Sequence, residues 1–196
     1  MWVAVNYEQW GLGDSYRTLE AERLDHAEIG LGQQLSAVLR LDLNVFRDKV
    51  RDALRFDPPP PPPPSFSNLG TFTVVGAEAS LTAHLSDRVA VFLGGTHLAT
   101  DPASVPNAPE WAWVGGVNLV PAAGWKASVD AEWVDAQEVL NPRYASGPAH
   151  VDAHALVNGR LACAFTAWSS PVEVFVAGEN LGDSAYEYRP GYPMPG

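Results

Sequence analysis

Lysine and cysteine are scarce in this chain, and their scarcity excludes several kinds of protein. The 196 residues include 12 basic and 23 acidic ones, for a net charge of -11, and the only lysines are Lys49 and Lys126. Because nucleic-acid phosphates are bound by clustered basic residues, we expect no nucleic-acid partner. Cys163 is the single cysteine, so no disulfide can form within the chain.

Long apolar runs are also missing. No stretch of about 18 continuous apolar residues occurs, which excludes a membrane-spanning helix but not a membrane protein built from strands. The first eight residues lack the basic head and the long apolar centre of a secretory signal. We therefore expect either a protein that stays inside the cell or the later part of a longer chain.

Glycine and proline are abundant, with seventeen of each, and 46% of the residues are apolar. This composition is typical of a single domain built from many short elements. Pro58 to Pro64 form a run that cannot enter a sheet ladder and that favours an extended polyproline helix. We interpret residues 57–68 as a stiff proline-rich loop, with a docking segment for a proline-binding groove as the alternative.

Alternation of apolar and polar residues is the main structural signal, because a strand between two environments alternates its side chains. From Trp125 to Trp133 every second residue is apolar, and Lys, Ser, Asp and Glu lie between them. The pattern predicts nine strands, at residues 2–10, 24–35, 39–45, 75–85, 89–100, 111–120, 125–133, 151–165 and 172–181. The helical spacing of Phe46, Val50 and Leu54 also leaves an amphipathic helix over 44–56 open.

The connections between the predicted strands alternate in length. Residues 36–38, 86–88, 121–124 and 166–171 are short turns, whereas 11–23, 57–68, 101–110 and 137–150 are long polar loops. An all-β, antiparallel up-and-down meander with tight turns at one end and long loops at the other is typical of an outer-membrane barrel.

The two faces of the predicted strands also differ. Charged residues fall on the polar side, namely Arg40, Asp42, Glu78, Lys126, Asp130, Glu132, Asp152, Arg160, Glu173 and Glu179. Large aromatic residues lie near strand ends on the apolar side, namely Trp111, Trp113, Trp125, Trp133 and Phe165. In a membrane barrel such rings lie at the two interfaces; in a soluble sandwich, the alternative, they are core residues.

Three segments resemble one known family. They are Asn6-Tyr7-Glu8 with Ser15-Tyr16-Arg17 and residues 27–31, then Asn68 to Glu78 with its G-x-E pattern, and last the E-N-L-x-D-x-x-Y segment Glu179 to Tyr186 with the loop that follows it. The chain is similar along nearly its whole length to the C-terminal part of TonB-dependent outer-membrane receptors. That family has a 22-stranded barrel, an N-terminal plug and a short box that binds TonB. Residues 1–196 therefore resemble a partial barrel without a plug domain, incomplete on its own.

The resemblance implies a function and partners. Such receptors take up an iron siderophore, cobalamin or a similar chelate, so we expect the cell outer membrane as the location, with lipid and a metal-chelate or cobalamin ligand as partners. TonB would be bound only through the missing N-terminal part. We expect no enzyme activity, no catalytic residues, no cofactor and no resident metal, because no residues have diagnostic spacing. The scattered histidines, including His26, His84 and His154, are interpreted as solvated residues.

The outer loops of such receptors present aromatic and polar side chains to the chelate, and arginine with tyrosine suits anionic planar ligands. The candidate ligand-binding residues are Trp10, Tyr16, Arg17, Asn141, Arg143, Tyr144, Tyr186, Tyr188, Arg189 and Tyr192. Two alternatives to the receptor hypothesis are a soluble all-β binding module and a remnant without independent activity. We expect the isolated chain neither to bind a chelate tightly nor to support uptake.

Overall fold

The computed structural model describes residues 15–57, 65–103, 105–140 and 148–194. A short 3-10 helix, Ser15–Thr18, precedes the strands. The strands are β1 (Arg23–Gln34), β2 (Leu39–Arg51), β3 (Leu54–Asp57), β4 (Ser65–Asn68), β5 (Phe72–Ser86), β6 (Val89–Asp101), β7 (Trp111–Leu119), β8 (Trp125–Val134), β9 (Gln137–Leu140), β10 (Pro148–Val151), β11 (His154–Ala167), β12 (Ser170–Gly178), β13 (Glu187–Arg189) and β14 (Tyr192–Pro193). Within the described ranges, no helix is both long and apolar enough to cross a membrane.

Eight long strands form one antiparallel sheet in the order β1-β2-β5-β6-β7-β8-β11-β12. Each strand therefore pairs with the next long strand along the chain, as the predicted meander requires. Eight of the nine predicted strands are confirmed, and the remaining one, at residues 2–10, lies outside the described residues. The sheet is open, and in the described chain β1 and β12 each pair on one side only.

The helix considered over residues 44–56 is wrong. Residues 44–51 continue β2, which pairs with β1 on one side and with β5 on the other. Phe46 lies opposite Gly76 of β5, and its ring occupies the space that a Cβ at Gly76 would need. The spacing of the apolar residues in this segment fits a helix as well as a strand. Pairing with a neighbouring strand on each side favours the strand.

The sheet has one apolar face. Side chains directly opposite each other across a strand pair share a face, and Leu81 lies opposite both Leu41 and Leu93. The same face carries the exposed side chains of Ile29, Val129 and Val174. In the described residues the buried apolar side chains are few and mostly small, namely Ala53, Ala83, Val139, Val151, Leu156 and Ala162. A soluble sandwich would bury the apolar face, so the arrangement is that of a barrel wall.

Aromatic rings border the apolar face at both ends. Trp111 stacks on Trp113 with ring centroids 5.6 Å apart, and Trp113 lies opposite Trp133, at the ends of β7 and β8 that lead to long connections. Trp125 and Phe165 lie near the short turns. The prediction that these rings lie near strand ends on the apolar face is confirmed, and in a membrane barrel such positions are those of the two interfaces.

Two of the long connections predicted as loops contain strand pairs. The β3–β4 hairpin spans the ends of the proline-rich segment, and β9 pairs with β10 within residues 137–151. Asn68 links the first hairpin to the wall, because its side-chain amide donates to the carbonyls of Glu20 and Asp52 at 3.0 and 2.6 Å. Two charged residues assigned to strands lie outside them, since Asp152 precedes β11 and Glu179 follows β12.

Candidate ligand-binding site

The polar face of the sheet forms a cavity near its β12 edge. The walls are the polar sides of β8, β11 and β12, and the segment after β12 folds over them. The cavity has a volume of about 590 Å³ and is lined in part by Asp130, Glu132, Asn158, Arg160, Tyr186, Tyr188 and Met194. This volume is within the range of pockets that hold small molecules.

An aromatic cluster lies beside this cavity. The imidazole of His154, the first residue of β11, stacks on Tyr186 with ring centroids 5.1 Å apart and meets the edge of Tyr188 at 5.8 Å. Tyr186 and Tyr188 are themselves edge to face at 5.3 Å. His154 is only 7% exposed, and neither ring nitrogen has a hydrogen-bond partner in the described structure. The interpretation of His154 as a solvated residue is therefore wrong, because the C-terminal segment covers it.

The phenol of Tyr188 has a shifted ionisation. Partial burial disfavours the phenolate, and the negative charge of Glu132 and the neighbouring Tyr186 act in the same direction, so the pKa of Tyr188 is raised above its usual value. Tyr188 therefore stays a neutral phenol over the physiological range of pH. It offers a hydroxyl and an aromatic face to a bound molecule.

The charged residues of the cavity wall are paired across strands. Arg160 of β11 donates to Glu173 of β12 at 2.7 Å, and its guanidinium lies 4.4 Å from the ring centroid of Phe175. Lys126 of β8 lies 3.6 Å from the other oxygen of Glu173. Asn158 donates to Asp130 at 2.9 Å. These pairs hold the polar side chains against the wall and leave Glu132 and the tyrosines toward the cavity.

Asn180 fixes the chain where it leaves β12. Its backbone N–H donates to the Asn158 side chain at 3.0 Å, and its own side chain exchanges two hydrogen bonds of 2.9 Å with the backbone of Ser184. Asn180 has a φ of 48°, in the left-handed region that asparagine tolerates. Leu181 then lies against Gly178 and Gly159. The E-N-L-x-D segment is thus a structural turn that directs Tyr186 back over the wall.

The predicted ligand-binding residues lie in separate places. Tyr186 and Tyr188 meet in the aromatic cluster, and Tyr192 lies opposite Arg189 in the small β13–β14 hairpin. Tyr16 and Arg17 belong to the 3-10 helix beside β4, before the first edge strand, so the sheet order separates them from the tyrosines that follow the last one. Trp10, Asn141, Arg143 and Tyr144 lie outside the described residues.

The sequence did not indicate that a strand of the sheet itself contributes a side chain to the candidate site. Glu132 was assigned to the polar face, which the register confirms, but nothing placed it near Tyr188. The alternation of side chains along a strand is the pattern that indicates this proximity. Glu132 lies opposite Leu156 of β11, and Leu156 is two residues after His154, so the three side chains share one face.

A second histidine, His26, lies at the β1 edge, 2.5 Å from Asp48 and 3.1 Å from Glu28. Within the described ranges, no group of three or more His, Cys, Asp and Glu side chains is arranged to hold a metal ion.

An open meander with an exposed apolar face, two aromatic borders and a charged polar face defines the wall of an outer-membrane barrel. Residues 6–181 match the family described as TonB dependent receptor-like, beta-barrel. The chain belongs to the TonB-dependent receptors and is part of their barrel domain, and its location is the outer membrane. The family consists of receptors and transporters rather than enzymes. No curated protein matches the chain.

Solved structures of barrels share the fold. The copper transporter OprC has a TM-score of 0.73 at 14% identity, over 92% of this chain and 31% of that chain. The ferric-catecholate import receptor Fiu from E. coli K12 has a TM-score of 0.64 at 18% identity, over 90% of this chain and 26% of that one. The ferric preacinetobactin receptor BauA from Acinetobacter baumannii has a TM-score of 0.62 at 18% identity, over 83% and 26%. The chain thus spans about a third or less of the structures it matches.

Proposed function

We propose that this chain is the substrate-contacting wall of a receptor that imports a metal chelate, with a ferric siderophore as the first candidate and cobalamin as the second. The observation that carries the proposal is the cluster of His154, Tyr186 and Tyr188 over a cavity of about 590 Å³ on the polar face. Aromatic faces and a phenol hydroxyl beside a hydrated cavity suit a planar chelate.

The comparisons support a metal chelate as the class of substrate. The solved structures with the same fold include a copper transporter, a ferric-catecholate import receptor and a ferric preacinetobactin receptor. The acidic walls contributed by Asp130 and Glu132 favour a ligand without a large excess of negative charge. Energy for release would come from TonB, acting through parts of the receptor that precede this segment.

The proposal is tested in the bacterium that makes the protein. The coding region for residues 1–196 is deleted on the chromosome and then restored, either unchanged or with Tyr186→Ala and Tyr188→Ala. Accumulation of radiolabelled ferric siderophores and labelled cobalamin is measured in each strain, with Trp168→Ala, at a short turn, as the control variant. We expect deletion to abolish the uptake of one chelate. The unchanged gene and the control variant should restore this uptake, and the tyrosine variants should restore little of it. Unchanged uptake of every chelate after deletion would contradict the proposal.

The chain by itself is not expected to transport. Eight described strands form an open sheet, and import requires a closed barrel and a plug that TonB pulls. Expression of residues 1–196 alone in a receptor-deleted strain should give no uptake of siderophore or cobalamin above background. Uptake that depends on TonB in that strain would show this expectation to be wrong.

A further inference from the structure

Basic side chains form a patch on the apolar face of the sheet, at the end with the long connections. The patch, called here the basic rim patch, consists of Arg23 on β1 and Arg47, Lys49 and Arg51 on β2. Arg23 lies opposite Arg51, and Lys49 lies opposite Asp25. These residues have the same strand parity as the exposed side chains of Leu43 and Val45, so they share the apolar face.

The position of the patch is specific to one end of the sheet. Four of the 12 basic residues of the chain are in it, and no other Lys or Arg lies on the apolar face of the eight described long strands. At the short-turn end this face carries Leu39, Leu119 and Trp125 instead. The apolar band ends at Ile29 and Val45, and the basic residues begin one position further along that face, at Arg47.

The charge of the patch is only partly neutralised. Arg51 is ion-paired with Asp25, but in the described structure Arg23, Arg47 and Lys49 have no ion pair. Four basic side chains and Asp25 leave three positive charges. Among the eight described long strands, Asp101 of β6 is the other carboxylate on this face. Successive side chains on one face of a strand are roughly 7 Å apart, so neighbouring basic groups can reach one phosphate together.

We infer that the basic rim patch binds the phosphate of an anionic lipid headgroup in the outer leaflet. The partner must present negative charge directly beside apolar chains, because Ile29 is 81% exposed on the same face, one position beyond Ala27, the residue opposite Arg47. A lipid has this chemistry, whereas a free phosphate ion would leave the adjacent apolar surface uncovered. The inference uses the outer-membrane location and is independent of the chelate proposed above.

The test compares two lipids on the same protein. The receptor that contains the chain is purified in neutral detergent micelles, and the motionally restricted fractions of spin-labelled phosphatidic acid and spin-labelled phosphatidylcholine are measured by electron paramagnetic resonance, with EDTA present. The unchanged chain should prefer phosphatidic acid. Each basic residue near a membrane surface contributes about fivefold to binding of an anionic lipid, so the pair Arg47→Gln and Lys49→Gln should lower the preference roughly 25-fold.

Controls separate this inference from general charge and from misfolding. The matched pair Arg88→Gln and Lys126→Gln, at the short-turn end, should keep the preference, and the exchange of Arg47→Lys with Lys49→Arg should keep it as well. Excess inorganic phosphate should not displace phosphatidic acid. The inference is overturned if the glutamine pair at the rim retains the preference, if the control pair loses it equally, or if free phosphate displaces the lipid. These readouts do not involve uptake, so a failed siderophore assay leaves them unaffected.

Discussion

Trp113 of β7 lays its indole ring across Gly95 of β6 on the apolar face of the wall. The two residues are directly opposite each other, and a Cβ at Gly95 would come within 2.5 Å of ring atoms Cε3 and Cζ3. The missing side chain of Gly95 is therefore what lets Trp113 lie flat in the aromatic border and stack with Trp111. Glycine in a strand often marks such a close approach.

Gly95→Ala should destabilise the folded chain, because the ring must leave its position. We expect a loss of about 1–3 kcal/mol, the usual effect of added atoms in a packed site. Urea titration of the receptor in detergent micelles, followed by tryptophan fluorescence, measures this loss. Gly30→Ala is the control, since a Cβ there meets its nearest atoms at 3.7 Å, an ordinary contact. Equal midpoints for both variants would show that the ring does not depend on Gly95.

Asn180→Ala should loosen the turn that carries Tyr186. The substitution removes both hydrogen bonds with Ser184, and an unsatisfied buried polar group costs about 1–3 kcal/mol. Faster hydrogen exchange at the amide of Ser184 is the expected readout. Asn180→Asp keeps the acceptor for the Ser184 N–H and should have a smaller effect. Identical exchange in all three proteins would contradict the role given to Asn180.

His26 should make the β1–β2 edge sensitive to pH. It lies outside the apolar band, and its hydrogen bonds to Asp48 and then Glu28 raise its pKa above 6.5. A raised pKa in the folded state stabilises the fold below the unfolded pKa, and this contribution is lost as pH rises through the folded value. The urea midpoint of the unchanged chain should therefore fall between about pH 6 and about pH 8 by more than that of His26→Gln. An NMR titration that places the pKa of His26 at or below 6.5 would refute this prediction.

An arginine introduced on each face of the sheet tests whether that face contacts lipid or water. Leu93→Arg introduces a cation on the apolar face, between the two aromatic borders, and should lower the folding stability of the receptor in phosphatidylcholine vesicles by about 2–4 kcal/mol. Ser80→Arg places the same group on the polar face, where Ser80 lies opposite Asp42, and should cost much less. Similar losses for the two variants would mean that the faces do not separate lipid from water.

The long strands could be predicted because each one separates two environments. The alternation of apolar and polar residues is sufficient to show this. Val75 to Leu85 alternates over its whole length and lies within β5. The short hairpins were not predictable in the same way. β9 and β10 have four residues each, too few to show a period, and they are defined only by their pairing with each other.

The candidate site was predicted in part. Tyr186 and Tyr188 were placed in the last loop because of their residue type, and the family resemblance gave that loop a purpose. Their contact with His154 depends on a chain reversal at Asn180 over a separation of 32 residues from His154 to Tyr186, and no local pattern encodes such a contact. The position of each tyrosine relative to a ligand depends on that chain reversal, so the ligand-binding role remains a prediction.

The β9–β10 hairpin pairs from Gln137 opposite Val151 to Leu140 opposite Pro148, and the carbonyl of Glu138 also accepts a 2.7 Å hydrogen bond from the backbone N–H of Asn107. Neither strand pairs with the eight-stranded sheet, and the buried side chains of Val139 and Val151 anchor the paired part of the hairpin. A foreign peptide inserted between Leu140 and Pro148 would lengthen this connection without altering the register of β8 or β11. This position is thus a candidate graft site for displaying an epitope on the bacterial surface.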